Sequence, residues 1–394
     1  MKKSILFIAY DFPPILSPES IQVQRRALAL ARNGHRVHVL TACENPDFEF
    51  MDPELGRDHE NLTVHRINRI PGEKWLHYLC GGLEITDRKF WWKFPAATTA
   101  IKLIKEFKID ALYTHSTPLV NHLAGLAVKE TDRDMHWTAH FSDPWTLNPY
   151  ISYRTGLQRG INKLYEKAVI SRADRITVTS EKTKDLLIKG LGAAKDKIAV
   201  LPHVFDPDLY TRRQHTPEKK IVAHTGNIYG LRSIAPFIEA VDKVRPANLE
   251  FHFYGRMKDD ERRLAEEKCP DLIKIFEPVP YLQSIDVLSK ADILMVIDAP
   301  LKNSPFFPSK LADYIGAGKP VAALTPLSST TTDIIRDIQK ELLVADSADV
   351  PSIAALIRRM EKADSSALID GAKDFYNMNN NYDRIREALI DEEC

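Results

Sequence analysis

The chain has 394 residues, 44% of them apolar and 27% charged, and its 54 Lys+Arg balance 54 Asp+Glu. These are the proportions of a globular protein with room for two or three roughly average domains. A net charge near zero excludes general nucleic-acid binding through a basic surface. Cys43, Cys80, Cys269 and Cys394 are widely spaced, without a CxxC pair. Neither a metal site nor a disulfide framework is expected, and a reducing, cytoplasmic compartment is.

In chain order, Met1-Lys2-Lys3 followed by the apolar run 5–10 mimics a signal peptide. That run is too short for one and has no small-residue cleavage site after it, so it reads as a buried first strand, 4–10. No run approaches the ~18–20 apolar residues of a membrane span. Ser17-Pro18 reads as the start of a helix that stops at Gly34, followed by a strand over 37–41. Further helices are expected over 96–107, 120–129, 156–171 and 181–189, and strands over 111–114, 135–140, 175–179 and 198–201. Residues 202–220 carry no sustained apolar period and read as a linker.

The alternation then restarts. Strands are expected over 221–224, 249–254, 273–276, 293–297 and 321–324, and helices over 233–244, 260–268, 282–290 and 310–316. Residues 376–393 read as a polar amphipathic helix. Regular β-α alternation predicts parallel sheets. The expected organisation is an α/β Rossmann-like domain over 1–202, a linker over 203–220 and a second such domain over 221–375. The last helix, within 376–394, is expected to pack back on the first domain. Two such domains imply a cleft between them, a usual place for a ligand.

Five stretches can carry chemistry. In Phe307-Pro308-Ser309-Lys310, the start of the 310–316 helix offers N–H groups and a cation to a phosphate, and Asp313 shares that helix face. The alternative is a solvated ion pair worth little. The turn His224-Thr225-Gly226-Asn227-Ile228-Tyr229-Gly230-Leu231-Arg232 follows a strand, where α/β sheets hold phosphates. It matches neither GxGxxG nor a P-loop, and its glycines equally suit an ordinary turn. His140 and Asp143, at the end of 135–140, suit acid–base or electrostatic roles, or else a turn at Asp143-Pro144 with Trp145 in the core. In the loop after the first strand, Ser17 or Ser20 can meet a phosphate or simply cap the helix. Lys74-Trp75 and Lys89 to Pro95 interleave basic and aromatic residues, as membrane-interface segments do, or form a long loop over the first domain.

Together these pieces resemble a family 4 glycosyltransferase of the GT-B fold. The resemblance runs from "YDFPP" and "ALALARNGHRVHVLT" through "YTHSTPLVNHLAGLAV", "AHFSDPW", "ADRITVTSEKTKDLL" and "KIAVLPHVFDPDLY" to "AHTGNIYGLRS" and "PSKLADYIGAGKPVAAL". The middle pieces are similar to a subgroup acting in bacterial polysaccharide and lipopolysaccharide assembly. The resemblance implies transfer of a sugar from a UDP- or GDP-linked donor to a glycan or lipid-linked acceptor. It implies retention of configuration, no bound metal or other cofactor, and peripheral membrane contact as an open option. It places Arg232 and Lys310 on the donor phosphates, with Gly226, Asn227 and Ser309 around them. Asp313 falls on the ribose, Phe306, Phe307 and Pro308 on the base, and His140 and Asp143 at the catalytic position.

The chain departs from the family pattern at several points. Pro305 and Asp313 stand where two glutamates are usual, and Ser17–Ser20 replaces a glycine pair. Arg232 replaces Lys and His203 replaces Asn. His140 and Ser142 replace Asp and Arg in the subgroup's Asp-Phe-Arg-Asp-Pro-Trp. These departures keep open a non-catalytic glycan- or partner-binding protein. A nucleotide-sugar epimerase, which uses the same architecture, is the remaining alternative.

Overall fold

The structure is a computed structural model that describes residues 2–44, 50–83, 87–210, 219–364 and 368–390. Contacts divide it into two units, residues 1–203 with 381–394, and residues 204–380. The first unit runs β1 (Ser4–Ile8), α1 (Pro18–Arg32), β2 (Arg36–Ala42), β3 (Leu62–Ile67), α2 (Glu73–Leu83), α3 (Lys93–Phe107), β4 (Ala111–Ser116), α4 (Val120–Thr131), β5 (His136–Phe141), α5 (Gly156–Arg172), β6 (Arg175–Val178), α6 (Glu181–Leu191) and β7 (Ile198–Val200). The second runs β8 (Lys220–Thr225), α7 (Ala235–Val244), β9 (Leu249–Tyr254), α8 (Asp259–Lys268), β10 (Ile273–Phe276), α9 (Tyr281–Lys290), β11 (Ile293–Ile297), α10 (Ser309–Ala317), β12 (Val321–Leu324), α11 (Thr330–Ile338), β13 (Val344–Ala345) and α12 (Val350–Met360). Helix α13 (Tyr382–Leu389) then rejoins the first unit.

Both sheets are parallel throughout, ordered β3-β2-β1-β4-β5-β6-β7 and β10-β9-β8-β11-β12-β13. A strand buried on both faces is apolar at successive positions, and alternate residues serve opposite layers. In β1, Leu6 and Ile8 enter a core with Ala100, Leu123 and Val169 of α3, α4 and α5. Ile5 and Phe7 enter the other layer, with Val23 and Leu30 of α1 and Ile385 and Leu389 of α13. Polar contacts seat α13 as well: the Tyr382 hydroxyl meets His35 Nε2 at 2.9 Å, and Thr138 Oγ1 donates to the Ala388 carbonyl at 3.1 Å. Residues 391–393 of the expected last helix lie outside the described residues.

Strand order reverses between β1 and β4 in the first unit and between β8 and β11 in the second. Such switch points open a crevice at the carboxyl ends of the strands, and the loops there are the natural ligand-binding loops of each unit.

Two sequence expectations need correction. The stretch 74–95 is not one long loop, because it contains α2 and a 3-10 turn at Phe90–Trp92. The start of the expected linker is ordered: Phe205 is buried and pairs with the 376–378 segment through Phe205 N–H to the Tyr376 carbonyl (2.9 Å) and Met378 N–H to the Phe205 carbonyl (3.0 Å). Residues 211–218 of that linker lie outside the described residues. Among the described residues, no helix is long and apolar enough to cross a membrane.

Candidate functional site

At the switch point of the second unit, β8 ends at Thr225 and the chain turns through Gly226 at φ +106. A Cβ on Gly226 would lie 2.7 Å from Lys310 Nζ, so the turn and the lysine are in close contact. Gly255, after β9, is pressed just as closely on the Gly226 carbonyl. Asn227 fixes the turn by accepting the Arg256 N–H at 2.8 Å. Arg232 does not open the next helix, which starts at Ala235. It closes the Tyr229–Arg232 turn through its N–H to the Tyr229 carbonyl and lies 5.0 Å from the Tyr229 ring centroid.

Lys310 stands in the first turn of α10, whose N-cap residue is Pro308 and which has no side-chain cap. Its leading N–H groups, beginning at Ser309, are thus of the kind that accept an anion. Lys310 Nζ donates to the Thr225 carbonyl at 2.7 Å and meets His224 Nε2 at 3.4 Å. His224 Nδ1 donates to the Met295 carbonyl at 2.8 Å, which leaves Nε2 as an acceptor for the amine. Burial, then the nearby Arg232 charge, pushes the Lys310 amine down to about 7, against a smaller opposing pull from Asp298. Asp298 is itself buried, accepting the hydroxyls of Thr325 and Thr331 at 2.8 Å each. Burial raises its carboxyl, opposed by those hydroxyls and by the Arg232 and Lys310 charges. Arg232 and Lys310 thus act on each other as like charges, with Asp298 as a partial counterweight, an arrangement that suits an anion.

Asp313 is not on a solvated face. It is buried, and its Oδ1 accepts the hydroxyls of Tyr210 at 2.8 Å and Tyr281 at 3.0 Å. One helical turn separates it from Lys310, yet the two side chains serve different neighbours. Gly316 lets Tyr210 come this close, because a Cβ there would lie 2.7 Å from the tyrosine ring. Phe307 is turned inward with its ring against Tyr376, centroids 5.9 Å apart, while Phe306 and Pro308 stay half-buried. Burying an aromatic ring of this size stabilises the loop that leads into α10.

In the first unit, His140 lies near the end of β5, and its side chain is fully buried. Nδ1 meets Thr177 Oγ1 at 2.9 Å, the ring stacks on His115 at 4.6 Å, and Nε2 has no hydrogen-bond partner among the described residues. His115 in turn meets Arg26 Nη1 and Ser142 Oγ, both at 3.1 Å. Burial, then the Arg26 guanidinium, holds both imidazoles well below their ordinary range, so His140 is a neutral hydrogen-bonding group at pH 7. Asp143 lies beyond the strand, half-buried in the loop.

Sequence reasoning passed over Glu19, in the first turn of α1. Burial, then the carboxylates of Asp143 and Asp11, pushes the Glu19 carboxyl up to about 8, against its own N–H and the Thr117 hydroxyl. These residues follow β1, β4 and β5, so they gather at the switch point of this sheet. Asp11 is ion-paired to Lys89 at 3.0 Å. Ser17 and Ser20, weighed as phosphate ligands, instead form a reciprocal capping box at 3.0 Å each way.

The Glycosyltransferase Family 4 model matches residues 20–209. The 2-deoxystreptamine glucosyltransferase of Streptomyces kanamyceticus is 26% identical over 359 residues, covering 86% of this chain and 88% of that protein. Among solved structures, a glycosyltransferase from Rickettsia africae superposes with a TM-score of 0.69 at 14% identity, covering 98% of both chains. Anabaena HepE, solved in complex with UDP and glucose, superposes with a TM-score of 0.66 at 14% identity, again over 98% of both chains.

Proposed function

Because the chain belongs to glycosyltransferase family 4 and has the GT-B fold, we propose that it moves a hexosyl group from a UDP- or GDP-linked donor to a glycan or lipid-linked acceptor, with retention of anomeric configuration. The observation that carries this reading is Lys310 pressed beneath the Gly226 turn beside Arg232, at the switch point of the second unit. When the bond from sugar C1 to the diphosphate oxygen breaks, negative charge grows on the leaving diphosphate. Fixed cations and helix-start amides favour that state over the intact donor, which is what lowers a barrier. In this reading Lys310, Arg232 and the Ser309 end of α10 supply the positive potential in place of a metal ion. Gly226 and Asn227 give close backbone approach, Phe306 and Pro308 border the base, and Asp313 with its two tyrosines shapes the ribose side. The acceptor falls to the first unit, where Asp143 is the group assigned to take a hydroxyl proton and Glu19, protonated at neutral pH, is a hydrogen-bond donor beside it. Neutral His140 acts there as a hydrogen-bonding group.

Calorimetric titration with UDP and with GDP, followed by donor-hydrolysis and transfer assays, tests the reading. Binding of one nucleotide together with sugar transfer is the expected result. Release of an isomerised sugar would replace the transferase with an epimerase. Donor binding without turnover across a broad acceptor panel would make the chain a binding protein.

A further inference from the structure

The loop after β8 is an arch. Its two feet are buried, because Ile228 and Ile234 enter the core of the second unit. Between them Tyr229 is 64% exposed and Leu231 57%. A backbone bond inside the arch runs from the Arg232 N–H to the Tyr229 carbonyl at 3.2 Å. A guanidinium carried on such a span is placed only as well as the two feet are held.

The near foot is tied to the segment after β9 mainly through backbone. Gly226 N–H donates to the Tyr254 carbonyl and Ile228 N–H to the Arg256 carbonyl, both at 2.8 Å, and Asn227 Oδ1 accepts the Arg256 N–H. The far foot is tied to the start of α8 through side chains. Ser233, next in the chain to Arg232, donates its hydroxyl to Glu261 Oε1 at 2.5 Å and accepts the Ala235 N–H at 3.2 Å. Glu261 is the third residue of α8 and only 4% exposed.

Two features separate Glu261 from an acid that merely steadies a helix start. Asp259 and Asp260, in the same first turn, are exposed and already set negative charge against the helix dipole. Glu261 Oε2, by contrast, is buried without a hydrogen-bond partner among the described residues. Leaving half of a buried carboxylate unsatisfied costs stability, and such a cost is kept where a group serves a site.

We propose that Glu261, acting through the Ser233 hydroxyl, is a positioning residue that fixes Arg232 on the donor diphosphate. This role rests on the transferase reading and adds α8 to the elements that shape the donor site. Ser233 is the joint: its hydroxyl is aimed at the carboxylate, its oxygen holds the first N–H of α7, and its backbone continues that of Arg232. Without the carboxylate the far foot loses its tie to α8, and the guanidinium is spread over more positions.

The test measures UDP and GDP binding to the full chain by calorimetry. Glu261→Ala and Ser233→Ala are each expected to weaken binding of the preferred nucleotide about two- to tenfold. Glu261→Gln keeps an oxygen for the Ser233 hydroxyl and should restore most of that loss. The deciding comparison is made in Arg232→Ala. With no guanidinium left to position, adding Glu261→Ala should cost little more, whereas a carboxylate that acts on the fold alone lowers affinity by the same factor in both backgrounds. Should Glu261→Ala melt early, Ser233→Ala carries the same cycle. Equal factors in the two backgrounds overturn the proposal. A parent that binds a nucleotide and is indifferent to both substitutions overturns it too, and leaves the transferase reading standing. A parent that binds neither UDP nor GDP overturns that reading and the role of Glu261 with it.

Discussion

Lys310 spans from α10 to β8: its amine donates to the Thr225 carbonyl at 2.7 Å, directly under the Gly226 turn. With its amine held near 7, Lys310 is part-neutral at physiological pH, and under the proposed donor reading it is expected to become fully cationic when a diphosphate binds. Nucleotide binding above pH 7 must then take up a proton. Affinity for UDP or GDP is expected to fall by up to about tenfold per pH unit between pH 7 and 9. Lys310→Arg, which keeps its charge, should flatten that slope. Lys310→Ala removes a charge-assisted bond worth about 1.5–3 kcal/mol, roughly tenfold to a hundredfold in affinity. Titration in buffers of different ionisation enthalpy checks the proton count. An equal slope in parent and Lys310→Arg would assign the pH dependence elsewhere.

Gly226 and Gly230 both have positive φ, but only Gly226 touches the lysine. Alanine at either position strains the backbone by about 1–2 kcal/mol. Gly226→Ala also places a methyl 2.7 Å from the amine, whereas Gly230→Ala meets open space. Both variants should melt earlier than the parent, and only Gly226→Ala should lose nucleotide affinity. Equal affinity losses would mean that the turn acts through its shape and not through Lys310.

Asp313 holds two phenols on one oxygen. Asp313→Ala strands both hydroxyls in a buried place and is expected to cost about 1–3 kcal/mol in chemical unfolding. Asp313→Asn keeps an acceptor oxygen and should lose less. Tyr210→Phe/Tyr281→Phe combined with Asp313→Asn should cost less than the sum of the separate changes, because the three groups form one network. Additive losses would dissolve the network.

Glu19 gives the first unit a pH signature. Its folded pKa, about 8, lies above the ordinary carboxyl value of 4.5, so the folded state binds the extra proton between those limits. Stability from this group is greatest below pH 4.5 and falls as pH rises to 8, the reverse of an ion-paired acid. Glu19→Gln cannot ionise, so its melting temperature should gain on the parent's as pH rises from 6 to 9. A constant difference across that range would show that Glu19 is ionised throughout.

Strands such as β1 and β11 were legible because a doubly covered parallel strand must be apolar at successive positions, as Ile5 to Ile8 and Ile293 to Ile297 are, whereas partly exposed β3 and the short β13 were missed. Helix α2 was not legible either, because Trp75, Tyr78 and Leu79 face outward and blur the period that marks a one-sided helix. Helix α12 was passed over, and its Pro351 falls in the first turn, where proline is tolerated. In the second unit, the Gly226 turn and the Lys310 helix were readable locally. Their meeting was not, since 85 residues separate Lys310 from Thr225. The same limit hid Tyr210 and Tyr281 from Asp313, and Asp11 and Asp143 from Glu19. His140 was found by its motif, but its neutrality comes first from burial and then from Arg26, a residue of another element.

Helix α13 has a consequence for biogenesis. Ile385 and Leu389 fill a layer against strands made more than two hundred residues earlier. A growing polypeptide therefore emerges with that layer uncovered and must synthesise the entire second unit before sealing it. The first half to leave the ribosome is the last to be finished, and chaperone demand should concentrate on this interval.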